Sequence, residues 1–407
     1  MDSAAPPIYL DNHATTRLDP RVLEAMLPWL TDHYGNAGSI THDLGREARR
    51  AVEAARETFA AAIGGTAAEI VFTGGATESN NLAILGTAIR RRGLGRPHAG
   101  HVVTVCTEHD AVLDPCDQLE RQGAAVTRLA VEPQDSSAGV PGRIRLDELE
   151  AALTADTFLV SVMLANNEIG VVQDIPAIAE RVHARGGLVH VDCAQALGRM
   201  PVDVHDLGAD LASFSAHKFH GPKGMGVLWL RRRGRVVRVA PLVFGGGQER
   251  GMRSGTLDVP GIVGMAEAAR LAAVSLPEEV PRMRALRDGL WSALAAAVPG
   301  AALNGPPLDL NLASGPARLV NNLNVRIPGI DGQSLLAMVS AEGLALSSGS
   351  ACSSEQPRPS HVLAALGLDE DQARASLRFG LSRFTTAAEV AAAVTAIAGS
   401  VARLRAV

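Results

Sequence analysis

The sequence is short of cysteine and of long runs of any one residue class. Its 407 residues include only four cysteines, and no two of them form a C-x-x-C pair. A chain of this length buries a core without disulfides, so we expect reduced thiols and no zinc or other metal site. No uninterrupted apolar run reaches the roughly 18 residues that a membrane span needs. The N-terminal MDSAAPPIYLD also lacks the charged and apolar regions of a signal peptide. These absences predict a cytoplasmic protein that has no membrane partner.

A long basic segment is also missing. The formal net charge is −5, and the arginine runs at 90–92 and 231–233 are short. This pattern disfavours nucleic acid as a main partner. Hydrophobic residues make up 47% of the chain and charged residues 20%, which is enough apolar material for a sizeable core. At the usual ~150 residues per domain, the length suits two domains.

Strand-like and helix-like segments alternate up to about residue 260. The predicted strands are 69–73, 102–105, 125–130, 158–164, 188–192, 210–215 and 225–230. This alternation predicts an α/β fold with a mostly parallel sheet that is covered by helices on both faces. Two Ala-rich helices, 259–274 and 276–298, follow, and then a mixture of strands and helices. The second part is therefore predicted to be a smaller α+β domain, to which the N-terminal strand can also belong.

Residues 188–226 concentrate polar side chains at the ends of two predicted strands. They are Asp192, Gln195, Ser215, His217 and Lys218. Ligands of open α/β sheets bind outside the carboxyl ends of the strands, so we expect these groups to converge. An aspartate followed ~26 residues later by Ser-x-His-Lys indicates a pyridoxal 5'-phosphate (PLP) site. There the lysine forms the Schiff base and the aspartate keeps the pyridine nitrogen protonated.

A glycine turn, Gly74-Gly75, joins the strand 69–73 to the next predicted helix. The free N–H groups and the dipole of a helix N-terminus make a cradle for a phosphate group. The turn is not G-x-G-x-x-G, and no acidic residue follows at the spacing of a dinucleotide site, which disfavours a Rossmann cofactor.

The glycine-rich loop, residues 245–256, is long for a connection, since most connections have ~4–6 residues. We expect it to cross to a second copy of the chain in an isologous homodimer.

Nine segments together resemble one family, the cysteine desulfurases, which are PLP enzymes of fold type I. They are YLDNHATT, GGATESNN, the pair Glu108-His109, NNEIG, VDCAQ, SFSAHKFHGPKG, GGGQERGMRSGT, SSGSACSS and SLRFGLSRFT. They follow the family's order over nearly the whole chain. SSGSAC is similar to the first subgroup, which serves iron–sulfur assembly and nitrogen-fixation-type systems. The resemblance implies a large PLP-binding domain with a seven-stranded sheet at 17–260. It also implies a small domain formed by 1–16 and 261–407.

The resemblance implies a role for each site residue. Lys218 would carry the Schiff base and move protons, Asp192 would pair with the pyridine nitrogen, and His109 would stack on the cofactor ring. Gln195 and Asn167 would bond the phenolic oxygen of the cofactor. Its phosphate would be bound by Ala76, Thr77, Ser215 and His217, and by Thr256 of the partner subunit. Arg378, with Asn167, would bind the substrate. The bidentate fork of Arg378 suits a carboxylate.

Cys352 lies among serines and a glycine, a composition that neither packs a core nor holds a regular element. The resemblance implies that its thiolate takes the sulfur of L-cysteine as a persulfide and leaves L-alanine. The sulfur would then pass to an acceptor protein, for iron–sulfur cluster assembly or thio-cofactor synthesis. Relatives of the iron–sulfur type commonly carry a C-terminal tail that helps to dock the scaffold. Since the sequence ends at Val407, we expect weak docking of a scaffold or a different acceptor.

Several alternatives stay open at this point. Lys223 is the rival Schiff-base lysine, and Arg383 is the rival carboxylate ligand. Cys106, Cys116 and Cys193 are predicted to be small core residues, of which only Cys193 is expected near the cofactor. The rival functions are an aminotransferase, a cysteine or cystine lyase that needs no Cys352, and a persulfide-carrying partner protein with weak catalysis of its own.

Overall fold

The structure is a computed structural model that describes residues 7–95, 100–137, 139–312, 315–348 and 359–406. Its strands are β1 (Ile8–Tyr9), β2 (Ile70–Thr73), β3 (His101–Val105), β4 (Ala125–Leu129), β5 (Thr157–Met163), β6 (Leu188–Asp192), β7 (Leu211–Ser215), β8 (Gly226–Leu230), β9 (Ala302–Leu303), β10 (Asn311–Leu312), β11 (Gly315–Pro316), β12 (Asn322–Arg326), β13 (Leu344–Ala345) and β14 (Ser376–Gly380). Its α-helices are α1 (Pro20–Leu30), α2 (Asp43–Ala62), α3 (Ala76–Gly93), α4 (Asp110–Arg121), α5 (Leu146–Ala152), α6 (Ile175–Ala184), α7 (Val259–Ala297), α8 (Gly332–Ala341), α9 (His361–Ala365), α10 (Glu370–Arg374) and α11 (Ala387–Arg405).

A seven-stranded sheet with the order β2-β8-β7-β6-β5-β3-β4 forms the centre of the molecule. The strands from β7 to β4 run parallel, and β8 is antiparallel to both of its neighbours. The predicted α/β fold with a mostly parallel sheet is therefore confirmed. Because parallel strands end at one edge, β3, β5, β6 and β7 deliver the residues that follow them to the same side of the molecule.

The central strands are apolar on both faces, as strands covered by helices must be. Val103 and Val160 belong to the hydrophobic cluster on one face, whereas their neighbours Val102 and Leu159 belong to the cluster on the other. All seven residues of β5 are buried. This two-sided burial accounts for the continuous apolar runs that made the strands recognisable in the sequence.

One helix, α7, replaces the two that the sequence predicted at 259–274 and 276–298, so that prediction was wrong. Pro277 and Pro281 both lie inside α7. A proline in a helix removes one hydrogen bond and clashes with the preceding turn. Here α7 packs against α1, α2 and α11, and this packing stabilises the helix on either side of the prolines.

The helix α4 begins at Asp110. Its first turn is capped by His109, whose Nδ1 atom accepts the N–H of Ala111 at 3.0 Å. A histidine cap is uncommon, since Ser, Thr, Asn and Asp are the preferred N-cap residues.

Two helices, α7 and α11, are long and apolar enough by length and composition to cross a membrane. This finding differs from the expectation drawn from uninterrupted apolar runs, because alanine-rich segments with a few charges also give a high mean hydropathy. In α7, 56% of the apolar window is buried inside the molecule, against α1 and α2 among others. Both helices contribute buried residues to one hydrophobic cluster of this chain: Leu290 comes from α7 and Ile397 from α11.

A second, smaller sheet has the order β14-β12-β9 and is antiparallel. This sheet packs with the end of α7 and with α8 and α11 around one hydrophobic cluster. The cluster includes Leu294, Val325, Val339 and Phe379. The N-terminal strand β1 pairs with β13, and Leu10 is buried in the same cluster. The division into domains at residues 16/17 and 260/261 stays a prediction.

Candidate active site

A cavity of about 1050 Å³ opens at the carboxyl ends of the parallel strands. Its walls include ten residues that the sequence predicted for the site: Ala76, Thr77, His109, Asn167, Asp192, Gln195, Ser215, His217, Lys218 and Arg378. They come from segments that are more than 300 residues apart in the chain, and the parallel sheet brings most of them to one edge. Their individual roles stay predictions.

Asp192, the last residue of β6, is buried and held in one orientation. Its Oδ1 atom accepts the N–H of Ala194 at 2.8 Å, and its Oδ2 atom accepts the side-chain amide of Asn80 at 2.7 Å. The Oδ1 atom of Asn80 is buried and has no hydrogen-bond partner among the described residues. A carboxylate fixed in this way at a strand end can keep a ligand's ring nitrogen protonated without reorganising.

Glu108, which is fully buried, lies in the same cavity wall as Asp192. Its Oε1 atom accepts the N–H of Met163 at 2.7 Å, while Oε2 has no partner in the described part of the chain. Burial, together with the negative charge of Asp192, raises the pKa of Glu108 well above its ordinary value. Burial therefore favours the neutral form of the Glu108 carboxyl group.

Lys218 ends the short 3₁₀ turn that follows β7. Its Nζ atom donates to the carbonyl oxygens of His13 at 2.6 Å and Ala14 at 2.9 Å. These bonds hold the amine at the floor of the cavity. The rival Lys223 also lies at the cavity wall, but it is exposed.

Gln195 is held by a buried network beside Lys218. Its Oε1 atom accepts from Arg199 Nη1 at 2.6 Å and pairs with His13 Nδ1 at 3.0 Å, and its Nε2 atom donates to the carbonyl of His13 at 3.0 Å. Burial, and then the charge of Arg199, lowers the pKa of His13 well below its ordinary value. Since Asn322 donates to His13 Nε2, the neutral ring carries its proton on Nδ1. The second amide hydrogen of Gln195 is the group that can donate into the cavity.

The glycine turn precedes α3, whose N-cap is Gly75 with φ 144° and no side-chain cap. A Cβ atom on Gly226, in the neighbouring strand β8, would lie 2.5 Å from the backbone of Gly75. The backbone therefore approaches β8 closely. Gly74, Gly75, Ala76 and Thr77 line the cavity together with Ser215, so the uncapped N–H groups at the start of α3 lie at its wall. This arrangement, together with the unpartnered Asn80 and Glu108 atoms, fits the phosphate and the ring of PLP.

His217 lies beside this cradle, where its Nδ1 atom pairs with Thr15 Oγ1 at 3.1 Å. Burial, and then the nearby cation Lys218, lowers its pKa to about 4. The ring is therefore neutral at neutral pH and can donate one hydrogen bond from the other nitrogen.

Arg378, on β14, reaches the opposite side of the cavity. Its Nη2 atom forms an ion pair with Asp11 Oδ1 at 2.8 Å, and its Nη1 atom donates to the carbonyl of Asn167 at 3.4 Å. The rival Arg383 instead pairs with Asp19 at 3.2 Å and Glu279 at 3.1 Å, away from the cavity wall. The geometry therefore favours Arg378 as the guanidinium that can meet an anionic ligand.

Comparison with known proteins decides the family. The family model described as "Aminotransferase class-V" matches residues 8–392 of this chain. A relative named "Cysteine desulfurase IscS" from Anaeromyxobacter sp. (strain K) is 49% identical over 401 residues, which are 98% of this chain and 93% of the relative. A protein of the same name from Edwardsiella ictaluri (strain 93-146) is 47% identical over 405 residues, or 98% and 94% of the two chains. The chain belongs to the aminotransferase class-V family.

Solved structures agree with this family and with its fold. A "NIFS-LIKE PROTEIN" superposes with a TM-score of 0.86 at 38% identity and covers 97% of this chain and 99% of its own. The structure "SspA in complex with cysteine" gives a TM-score of 0.75 at 33% identity, with 93% and 99% covered. The predicted resemblance to PLP-dependent enzymes of fold type I is thereby confirmed.

One described residue that was predicted for the site, Thr256, does not line the cavity. Thr256 is exposed at the end of the glycine-rich loop. Cys352 lies outside the described residues. The chain on either side of 349–358 is nevertheless fixed at the cavity, since Ser347 accepts the N–H of Arg378 at 2.7 Å and Ser360 donates to Glu168 at 2.5 Å.

The expectation that only Cys193 approaches the cofactor was wrong. Cys106, which directly follows β3, lies in the cavity wall, whereas Cys193 is fully buried in the core. Successive side chains of an extended segment point to opposite sides, so Asp192 faces the cavity and Cys193 faces away from it. Burial raises the pKa of both thiols, and Cys116 is likewise buried.

Sequence reasoning missed several residues that shape the site. Asn80, Glu108 and His13 lie in the segments that carry the family resemblance, but no role was predicted for them, and Arg199 and Asn322 lie outside those segments. A signal existed for the first two, because both are polar residues next to the end of a predicted apolar strand or at the start of a helix. The buried network of Arg199 depends on tertiary contacts and leaves no local pattern.

Proposed function

We propose that this protein is a PLP-dependent cysteine desulfurase that converts L-cysteine to L-alanine and transfers the sulfur to Cys352. The observation that carries the proposal is the cavity, in which Lys218 lies at the floor and Asp192 is fixed by Asn80. Full-length relatives at 47–49% identity are named cysteine desulfurases, and one structural relative was solved with cysteine.

The residues of the chain would divide the binding of PLP among them. Lys218 would hold the cofactor covalently, Asp192 would keep its ring nitrogen protonated, and His109 would stack on its ring. The N-terminus of α3, through Ala76 and Thr77, would bind the phosphate together with Ser215 and His217, while Gln195 and Asn167 would bond the phenolic oxygen. Once bound, PLP draws electrons from the α-carbon of an attached amino acid.

Arg378 would bind the carboxylate of L-cysteine, with Asn167 beside it. Its side chain is only 2% exposed, so its charge acts where little water screens it. The amine of Lys218 would move the α-proton. The carbonyl oxygens of His13 and Ala14 keep the amine of Lys218 within a narrow range of positions for that transfer.

Cys352 would attack the sulfur of the substrate as a thiolate. A new S–S bond forms, the C–S bond of the substrate breaks, and its electron pair returns to the carbon skeleton, which leaves as alanine after protonation. The fixed positions of Ser347 and Ser360 support this role, because both ends of the segment that contains Cys352 are attached at the cavity.

The enzyme would work as a cytoplasmic homodimer. Thr256 is exposed and does not line the cavity of its own chain, which supports its assignment to the phosphate site of a second copy. The persulfide would be delivered to an acceptor protein, such as an iron–sulfur scaffold or a sulfur carrier.

The decisive experiment combines alanine production from L-cysteine with mass spectrometry of the protein. We expect alanine in the presence of a reductant, and a mass increase of one sulfur atom on Cys352 without it. Cys352→Ala and Cys352→Ser should both stop turnover, because the neighbouring serines do not attack sulfur at neutral pH. Both variants should keep the yellow cofactor band. Near-normal alanine formation by Cys352→Ala would instead support a cysteine lyase, which releases sulfur without a protein persulfide.

A further inference from the structure

Glu249 and Arg253 attach the glycine-rich loop to α2, to β2 and to the first turn of α3. The carboxylate oxygens of Glu249 accept hydrogen bonds from the two terminal guanidinium nitrogens of Arg56, at 2.7 and 2.8 Å. The Oε2 atom of Glu249 also accepts the N–H of Phe72, on β2, at 2.8 Å. Glu78, in the first turn of α3, pairs with Arg253 Nε at 2.8 Å. The loop is thus bound at two points along the segment that leads into the phosphate cradle.

The conformation of the loop is itself strongly constrained. Glu249 and Arg250 have φ values of 47° and 57°, in the left-handed region that residues other than glycine rarely adopt. Within the loop, the side chain of Gln248 accepts the N–H of Gly255 at 2.9 Å. The position of Arg253 relative to the glycine turn is therefore set by the fold as a whole rather than by one flexible surface side chain.

The Glu78 carboxylate lies in an unusual position for a site that binds an anion. Its Oε2 atom accepts the N–H of Gly74 at 2.7 Å, so it fixes the glycine turn directly. A negative charge there would also repel a phosphate bound at the N-terminus of α3. The guanidinium of Arg253 lies against both carboxylate oxygens, at 2.8 and 3.3 Å, and neutralises this charge.

We propose that Glu78 and Arg253 are positioning residues for the cofactor phosphate. Glu78 holds the glycine turn in shape, and Arg253 cancels the charge of Glu78 so that the cradle accepts a doubly charged phosphate. The proposal rests on the proposed function, because it takes PLP as the ligand of the cradle. Under this proposal the glycine-rich loop has two roles. It carries Thr256 away from the cavity of its own chain, and through Arg253 it sets the affinity of that cavity for phosphate.

The test compares the affinities of the cofactor-free, full-length protein for PLP and for pyridoxal, which lacks the phosphate. The ratio of the two affinities isolates the phosphate contribution. Arg253→Ala should lower this ratio about tenfold, with the affinity for pyridoxal nearly unchanged. Adding Glu78→Gln, whose amide oxygen can still accept from Gly74, should restore most of the ratio, because the uncompensated charge is gone.

Arg250→Ala is the matched control. Arg250 lies in the same loop and donates to the carbonyl of Ile70 without contacting the glycine turn. A substitution that only loosens the loop should therefore lower the affinities for PLP and for pyridoxal equally and leave their ratio unchanged. If Arg253→Ala does not fold, Arg253→Gln replaces it, and Arg253→Lys should retain most of the ratio because it keeps the charge.

The outcomes separate the two proposals. A wild-type protein that does not bind PLP, or that does not prefer it to pyridoxal, refutes the proposed cofactor site. If the wild type prefers PLP but Arg253→Ala leaves the ratio unchanged, the proposed function stands and the role of the Glu78–Arg253 pair is refuted. A double variant no better than Arg253→Ala alone would also refute it, since the defect would then not come from the charge of Glu78.

Discussion

Replacing Glu249 by alanine is expected to destabilise the edge of the central sheet by about 3–5 kcal/mol. The side chains of Arg56 and Glu249 are only 5% and 1% exposed, and removal of one member of a buried pair leaves the other charge uncompensated. The same substitution leaves the outward N–H of Phe72, on the edge strand β2, without its acceptor. Glu249→Gln keeps an acceptor and should cost less.

Hydrogen exchange of the backbone amide of Phe72 measures this effect locally. A loss of 3 kcal/mol corresponds to about 150-fold faster exchange, since 1.4 kcal/mol is a factor of about ten. Glu53→Ala is the control, because Glu53 is 57% exposed and contacts the same Arg56 at 3.4 Å. An exposed pair contributes about 0–1 kcal/mol, so this variant should exchange nearly as slowly as the wild type. Equal exchange rates in Glu249→Ala and Glu53→Ala would refute the assignment of the buried pair as the anchor of β2.

Three further predictions concern the cavity and the core. Borohydride reduction of the holoenzyme should attach the cofactor to the peptide containing Lys218; a label on Lys223 would make that assignment wrong. Glu108→Gln should leave the pH dependence of the cofactor's absorbance unchanged, because burial favours the neutral carboxyl group, and a shifted titration would contradict this. His190 is buried between Ser161 and Ser213, and burial lowers its pKa to about 4. Since the unfolded chain takes up this proton first, thermal stability should fall as the pH drops from about 6.5 towards 4, and His190→Gln should reduce that slope.

The sequence predicted the central sheet well, because most of its strands are short apolar runs that are buried on both faces; the edge strand β4 is the exception. It failed where a local signal and tertiary packing disagreed. Pro277 and Pro281 indicated a break, but the contacts of α7 with its neighbours outweigh two lost backbone bonds. The short helices α5 and α10 were missed, because helices of seven and five residues hold too few periodic positions to stand out.

For the site, the sequence identified residues that follow strands and glycines that precede a helix. It did not predict which cysteine faces the cavity, because that depends on the side to which one extended residue points. Nor did it predict the pairing of Glu78 with Arg253, which are separated by 175 positions along the chain. Such contacts depend on how the glycine-rich loop folds back over β2, and no periodic pattern encodes that return.

The histidine that caps α4 has a consequence for proton transfer. His109 Nδ1 accepts the N–H of Ala111, so a proton placed on Nδ1 would set two donors face to face. Such a ring would also lose a capping bond, which typically contributes about 1 kcal/mol to a helix. While α4 is intact, His109 can therefore exchange protons only through Nε2. The backbone of a helix thus selects the tautomer of a side chain in the cavity, and Ala111 controls the direction in which that imidazole can act as an acid or a base.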